Sequence, residues 1–464
     1  MKKNITYIRH QGIMNEDMAL SHAEAPVINK EDYESRIQKL LDVASPYSHL
    51  LIYADKEHFS NLEYLTGYDP RYEECILLLK RGGLPLLIVG NEGMGQSQCI
   101  TISHDKVLFQ SLSPMGQSRG KCKSLVEILS GYGIGPQSNV GVLGWKSFSE
   151  KEFEDWKHTF EVPYYIVKAV ESLTENRENA NWLMMDNDCG LRIIQDPKTM
   201  VLAEIASTKA SRKTWDFVRG LKEGMTEIEA SQLFNIDGEP CPTYPNICFY
   251  GKGILSPDYH RTLALGQPIG YGMGYRYAQI HRVSFYIRDF KDLEPQYQKP
   301  VKELCETYFR AAAVWFESLG IGATGHEVWK QVKDVVGSYE EFGIALNPGH
   351  IIHSEEWINS PFSEGSTTTL KSGMLLQCDF TARPAGCGGL GVHMEDGVVL
   401  ADQAAREEIR RLAPDSYARM VKRQQFMRQV LGIMVKDEVL PTSDTCGMFH
   451  PFCADLGWIM AVEQ

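Results

Sequence analysis

Between Glu31 and Ala44 the apolar residues Ile37, Leu40, Leu41 and Val43 recur at the spacing that lines one side of a helix. The texture then changes to short apolar runs at residues 49–53, 75–79, 85–89 and 139–143, which have the length and composition of strands. A helical pattern near residues 124–131 separates the last two. Strands interleaved with helices predict an α/β domain over residues 1–190, whose first thirty residues are polar and mixed.

From Pro197 the pattern lengthens. Residues 198–221 read as one long helix rich in Ala and Lys, stopped by Glu223-Gly224-Met225. Thr226 with Glu229 three residues on is a capping box that restarts a helix, and Thr324 with Glu327 repeats the device after a second long helix at 297–319. Strands are predicted at 246–251, 280–288, 374–380 and 392–400. This predicts an α+β domain over residues 198–405, with the boundary at 185–197. Residues 406–464 read as a carboxyl-terminal extension that opens as a charged helix and ends in an apolar segment, 449–462.

A length of 464 residues exceeds one typical core and supports the two-domain division. With 43% hydrophobic and 23% charged residues the chain has the composition of a soluble globular protein. The net charge of −13 argues against nucleic acid and against an anionic membrane, where basic patches supply the affinity. No apolar run approaches the ~20 residues that cross a bilayer. Lys2, Lys3 and Arg9 are not followed by the apolar stretch of a secretory signal. Eleven cysteines without a C-x-x-C pair read as reduced thiols, and cytoplasmic location is the expectation.

Five local patterns, in order, resemble the creatinase, prolidase and methionine aminopeptidase superfamily. They are Tyr64-Leu65-Thr66-Gly67, the helix from Lys198 through Glu204 to Gly224-Met225-Thr226-Glu227, Asn347-Pro348-Gly349-His350, Ser372-Gly373-Met374 with the strand to Asp379, and Val392-His393-Met394-Glu395-Asp396. The resemblance spans residues 48–400. It implies a family-type amino-terminal domain followed by the curved antiparallel "pita-bread" domain, with a homodimer expected.

The resemblance also implies two divalent metals held by two Asp, one His and two Glu, since paired dications need about four carboxylates to neutralise and bridge them. Carried over residue by residue, the His falls on His350, one Glu on Glu395 and the other on Asp379. The two Asp positions fall on Gly272 and Gln279, and no Asp or Glu occurs anywhere between His260 and Arg288. The expectation is therefore no metal, or one Zn²⁺, Mn²⁺ or Fe²⁺ on His350, Asp379 and Glu395. Without metal, the remaining pocket carboxylates, Glu395 among them, and His260 or His350 would carry the chemistry, the histidine as acid/base as in creatinase. His350 and His353 face opposite ways in an extended segment, so only one of them enters the pocket. Arg71, with Tyr72, matches a loop that binds a substrate carboxylate in relatives; the plainer reading pairs Arg71 with Glu73 or Glu74.

Two functions stay open on the sequence. One is a hydrolase of a small C–N substrate, either dipeptide-like as for Xaa-Pro peptidases or guanidino/amidino as for creatinase. The other is a non-catalytic relative that binds a peptide or protein partner.

Overall fold

Part of the polar opening stretch forms a strand. The structure, a computed structural model, describes residues 3–250 and 256–463, without the side chain of His22. Met1, Lys2 and Gly251, the last residue of the strand expected at 246–251, lie outside them. Strand β1 (Ile5–Arg9) pairs antiparallel with the last strand, β15 (Trp458–Val462), placing Ile5 opposite Val462. The chain divides into two compact units, one of residues 27–193 and one of residues 1–26 with 194–464. The carboxyl-terminal extension is thus part of the larger unit, as are the first 26 residues.

The smaller unit opens with α1 (Lys30–Val43), whose first turn is closed by Asn29 and Asp32 bonding each other's backbone N–H. Its strands are β2 (His49–Ala54), β3 (Cys75–Lys80), β4 (Leu86–Val89), β5 (Asp105–Leu108), β6 (Val140–Leu143) and β7 (Arg177–Asn179). They form one mixed sheet in the order β5-β4-β3-β2-β6-β7. Every residue of β2 and β6 is buried, which explains why these strands read as unbroken apolar runs rather than alternating ones. The connecting helices are α2 (Ser60–Thr66), α3 (Gly93–Gln96), α4 (Leu125–Tyr132), α5 (Tyr164–Glu171) and α6 (Trp182–Met185).

The larger unit begins with α7 (Pro197–Gly220), capped by Asp196 and started by Pro197, and α8 (Glu227–Ser231), capped by Thr226 and Glu229. Strands β8 (Thr243–Phe249), β9 (Gln267–Tyr275) and β10 (Ala278–Tyr286) follow, then α9 (Pro295–Ser318) and α10 (Gly325–Val336). Strands β11 (His350–Ile351), β12 (Leu375–Ala382) and β13 (Val392–Leu400), helices α11 (Gln403–Leu412) and α12 (Pro414–Gln429), and β14 (Val439–Pro441) complete it. The sheet runs β11-β12-β13-β10-β9-β8, antiparallel throughout, with β14 also on β13. Helix α7 packs on β9 and β10, and α9 on β12 and β13. Phe217 of α7 stacks on Phe234 and Tyr271 with centroids 4.5 and 5.1 Å away, at the heart of that layer. Among the described residues no helix is long and apolar enough to cross a membrane.

Buried charge ties the extension to α7. Arg419 grips both oxygens of Glu204 at 2.8 and 2.6 Å, and Arg423 reaches the same glutamate at 2.7 Å. Asp444 takes Arg423 at 2.7 Å and Arg212 at 2.9 Å.

Candidate metal centre

Four residues share one rung across β9, β10, β13 and β12. Gly272 lies opposite His281, His281 opposite Glu395, and Glu395 opposite Asp379. Side chains alternate along a strand, so a shared rung presents its members to one face. Gln279 is two residues along β10 toward the hairpin turn, opposite Gly274, and so lies on the same face but not on this rung. The turn is short because Tyr277 adopts a positive φ of 71°, leaving only Arg276 and Tyr277 between the paired Tyr275 and Ala278.

His350 is delivered from β11 by the Asn347-Pro348-Gly349 turn. Gly349 has φ 115°, a conformation open to glycine, and its N–H donates to the Asn347 carbonyl at 2.8 Å. The fully buried His350 ring stacks on Trp357 with centroids 4.2 Å apart. Its Nδ1 lies 3.3 Å from the Ile351 carbonyl, which turns Nε2 toward three carboxylates. Glu356 Oε1 stands 3.4 Å away, Asp379 Oδ2 3.5 Å and Glu395 Oε1 3.6 Å.

The donor set fits one cation. His350 Nε2 and Glu395 Oε1 are buried with no hydrogen-bond partner, and contacts of 3.4–3.6 Å are too long to supply one. One ligand atom from each of His350, Glu356, Asp379 and Glu395 lies within 4.8 Å of the other three. Donors at about 2.1 Å from a tetrahedral ion stand about 3.4 Å from each other, which is the spacing around His350 Nε2. A backbone carbonyl on the remote ring nitrogen is also the usual partner of a metal-ligating histidine.

The electrostatics agree. Burial alone would lower the His350 pKa, but Asp379, Glu395 and Glu356 outweigh it and hold it at about 10. Burial, then the Asp379 charge, pushes the Glu395 carboxyl well above its ordinary range. Asp379 is held far below its own: burial opposes this, and His350 and His393 prevail. His393 Nε2 contacts Asp379 Oδ1 at 2.6 Å, and His393 Nδ1 contacts His281 Nδ1 at 2.7 Å. Arg282 faces the other way, pairing Asp396 at 2.6 Å.

Glu356, Asp379, Glu395, His281 and His393 line a cavity of about 720 Å³, whose wall also includes Gln279, Val283, Leu346, Trp357 and Arg383; His350 is fully buried and is not part of that wall. Arg383 is exposed, and its guanidinium has no ion-pair partner among the described residues.

Of the residues singled out from sequence, the fold gathers His350, Asp379 and Glu395, and places Gly272 and Gln279 on the neighbouring strands. His260 is exposed on the loop before β9 and does not line the cavity. His353 is buried, edge-on to Tyr277 at 5.0 Å with Nδ1 3.0 Å from Ser354 Oγ, and does not line it either. Arg71 and Tyr72 belong to the smaller unit; Arg71 pairs Asp69 at 2.7 Å, and Tyr72 is exposed. Glu356 was not anticipated. It lies in irregular chain after β11, where its only sequence mark is an acidic pair, Glu355-Glu356, beside Trp357.

No protein-family model matches the sequence, and no curated protein matches it. Solved structures do. The prolidase of Thermococcus sibiricus superposes with a TM-score of 0.63 at 17% identity, over 80% of this chain and 95% of that one. The Xaa-Pro dipeptidase of Bacillus anthracis gives 0.59 at 14%, over 81% and 96%. The aminopeptidase PepP of Pseudomonas aeruginosa gives 0.54 at 14%, over 84% and 99%. At such identities the likeness establishes the architecture: the chain has the two-domain, pita-bread fold of these peptidases.

Proposed function

We propose that this protein is a hydrolase of small peptide-like substrates that works with one divalent cation. The observation that carries the reading is that His350 Nε2 and Glu395 Oε1 are buried without a hydrogen-bond partner, in a cluster with Glu356 and Asp379 whose ligand atoms lie within 4.8 Å of one another. His350, Asp379 and Glu395 would hold it, two carboxylates balancing one dication. Zn²⁺, Mn²⁺ and Fe²⁺ all suit this ligand set. Such an ion supplies Lewis acidity toward a carbonyl at neutral pH.

The chain's own groups do the rest. Glu356, whose side chain is 37% exposed beside the buried ligands, is the carboxylate able to exchange protons with a substrate. Burial, then the Asp379 charge against the pull of His350, lifts its pKa above the ordinary glutamate range, toward that of a useful acid/base. Val283, Leu346 and Trp357 give the cavity an apolar wall against which the apolar part of a substrate can pack. Arg383 offers an unspent cation for a substrate carboxylate. A volume of about 720 Å³ suits a dipeptide-sized ligand. The prolidases and Xaa-Pro dipeptidase that share the fold point to the same substrate class.

The non-catalytic alternative is favoured by one observation, the lack of any carboxylate on β9 and β10. Calorimetric titration of chelator-treated protein with Zn²⁺ and Mn²⁺ decides between them, followed by a dipeptide screen. One ion per chain, lost in His350→Ala, with turnover of a dipeptide, is the expected result. No ion bound and no turnover would leave the binder.

A further inference from the structure

Asp379 divides its two oxygens between different tasks. Oδ2 faces His350 in the ion cluster, while Oδ1 is held by His393 Nε2 at 2.6 Å. His393 is 5% exposed and His281 3%, and their Nδ1 atoms are 2.7 Å apart. Two imidazole nitrogens at that distance share one proton, so one ring donates and the other accepts. Asp379 as a carboxylate can only accept, which puts a proton on His393 Nε2. In neutral His393 the Nδ1 lone pair must then accept from His281 Nδ1–H.

From this geometry we propose that His281 and His393 are positioning residues: His281 fixes the His393 tautomer, and His393 fixes Asp379 so that Oδ2 is presented to the cation. The inference rests on the cation site proposed above. Each link is directional. A carboxylate free to rotate would turn either oxygen inward and lose entropy on capture of the ion; an outer donor removes that freedom. Nothing else holds Asp379 Oδ1 among the described residues.

Gly272 makes the chain possible. A Cβ there would stand 2.6 Å from His281 Cδ2 and 2.5 Å from the Ile280 carbonyl oxygen. The bare backbone on β9 and the histidine on β10 therefore form one arrangement: the space left by the first is filled by the second. His281 is not among the four clustered residues; it reaches Asp379 only through His393.

The test uses full-length, chelator-treated protein titrated with Zn²⁺. His393→Leu is expected to weaken Zn²⁺ binding about 10- to 100-fold, the usual effect of removing an outer-shell partner. His393→Gln, which keeps an N–H donor, is expected to recover most of that loss. His281→Phe keeps the ring volume and is expected to cause a smaller loss than His393→Leu. Unfolding midpoints of the metal-free variants separate this from general destabilisation, which would not be rescued selectively by Gln. Ring ¹⁵N shifts of histidine-labelled protein, with the variants for assignment, are expected to show His281 protonated at Nδ1 and bare at Nε2. Wild-type affinity in His393→Leu, or a His281 proton on Nε2 opposite a neutral His393, would overturn the proposal. If wild-type protein binds no ion at all, the cation site fails, and the ¹⁵N shifts alone still decide the tautomer chain.

Discussion

Glu204 and Glu395 are both buried in the larger unit, 0% and 3% exposed, and their surroundings differ in kind. Glu204 has Arg419 across both oxygens, Arg423 on one and the Thr208 hydroxyl on the same one at 2.7 Å. Burial pushes its pKa up, but Arg423 and Arg419 bring it below the ordinary range. Glu395 has one oxygen with no partner, and burial and Asp379 drive its pKa up. Taking a carboxylate out of water costs several kcal/mol unless a fixed partner answers it. At Glu204 guanidinium groups answer it within the chain, and the cluster is structural. At Glu395 the nearest cationic group is the His350 imidazole at 3.6 Å, too far to hydrogen-bond, which leaves one oxygen open to a metal cation.

The contrast predicts opposite outcomes for one chemical change. Glu204→Gln strands two buried arginines and is expected to cost about 3–5 kcal/mol in urea unfolding, with Zn²⁺ binding by the folded fraction unchanged. Glu395→Gln replaces a buried carboxyl whose Oε1 has no hydrogen-bond partner; the ion-free protein should keep or gain stability while Zn²⁺ binding is lost. If both variants destabilise the ion-free protein alike, the two clusters are not different in kind.

The pH dependence of stability separates the clusters next. The folded pKa of Glu204 is depressed, so its contribution is present above the unfolded value of about 4.3 and lost as pH falls below that. The folded pKa of His350 is raised to about 10 in the absence of an ion. Its contribution is full below the unfolded value of about 6.5 and lost as pH rises to about 10. Thermal midpoints of stripped protein should therefore fall at both ends of the scale. Saturating Zn²⁺ should flatten the alkaline limb alone, because the ion takes the place of the His350 proton. An alkaline limb that survives in His350→Ala would assign it to another group.

What the sequence made legible follows from how local each interaction is. The caps at Thr226/Glu229 and Thr324/Glu327 form as read because both partners sit within one turn. The pita-bread architecture was readable from motifs spread along the chain, since each is a short backbone signature. Register across β9 and β10 was harder. It depends on the length of a turn whose positive-φ residue is Tyr277 rather than the glycine that usually signals one. Glu356 was hidden for a different reason: its approach to His350 is set by irregular chain, which carries no periodicity. Strand β1 was hidden because its partner, β15, lies at the far end of the chain, and a polar five-residue strand gains its identity only by pairing.

The smallest expected effect bears on the rung itself. Gly272 has no unusual backbone dihedral to explain it; space is the reason, since a Cβ would press on the Ile280 carbonyl and the His281 ring. Gly270, the previous same-face residue on β9, offers the control: a Cβ there meets nothing closer than Val283 Cγ2 at 3.5 Å, an ordinary contact. Gly272→Ala is expected to cost about 1–3 kcal/mol as overpacking, and to weaken Zn²⁺ binding less than His393→Leu does, because the displaced His281 acts only through His393. Gly270→Ala should change neither by a measurable amount. Equal tolerance at both positions in urea unfolding would mean that β9 does not approach His281 as closely as the shared rung requires. The account of why a glycine stands opposite a buried histidine would then fall, while the ion cluster on β11, β12 and β13, which makes no use of β9, would stand.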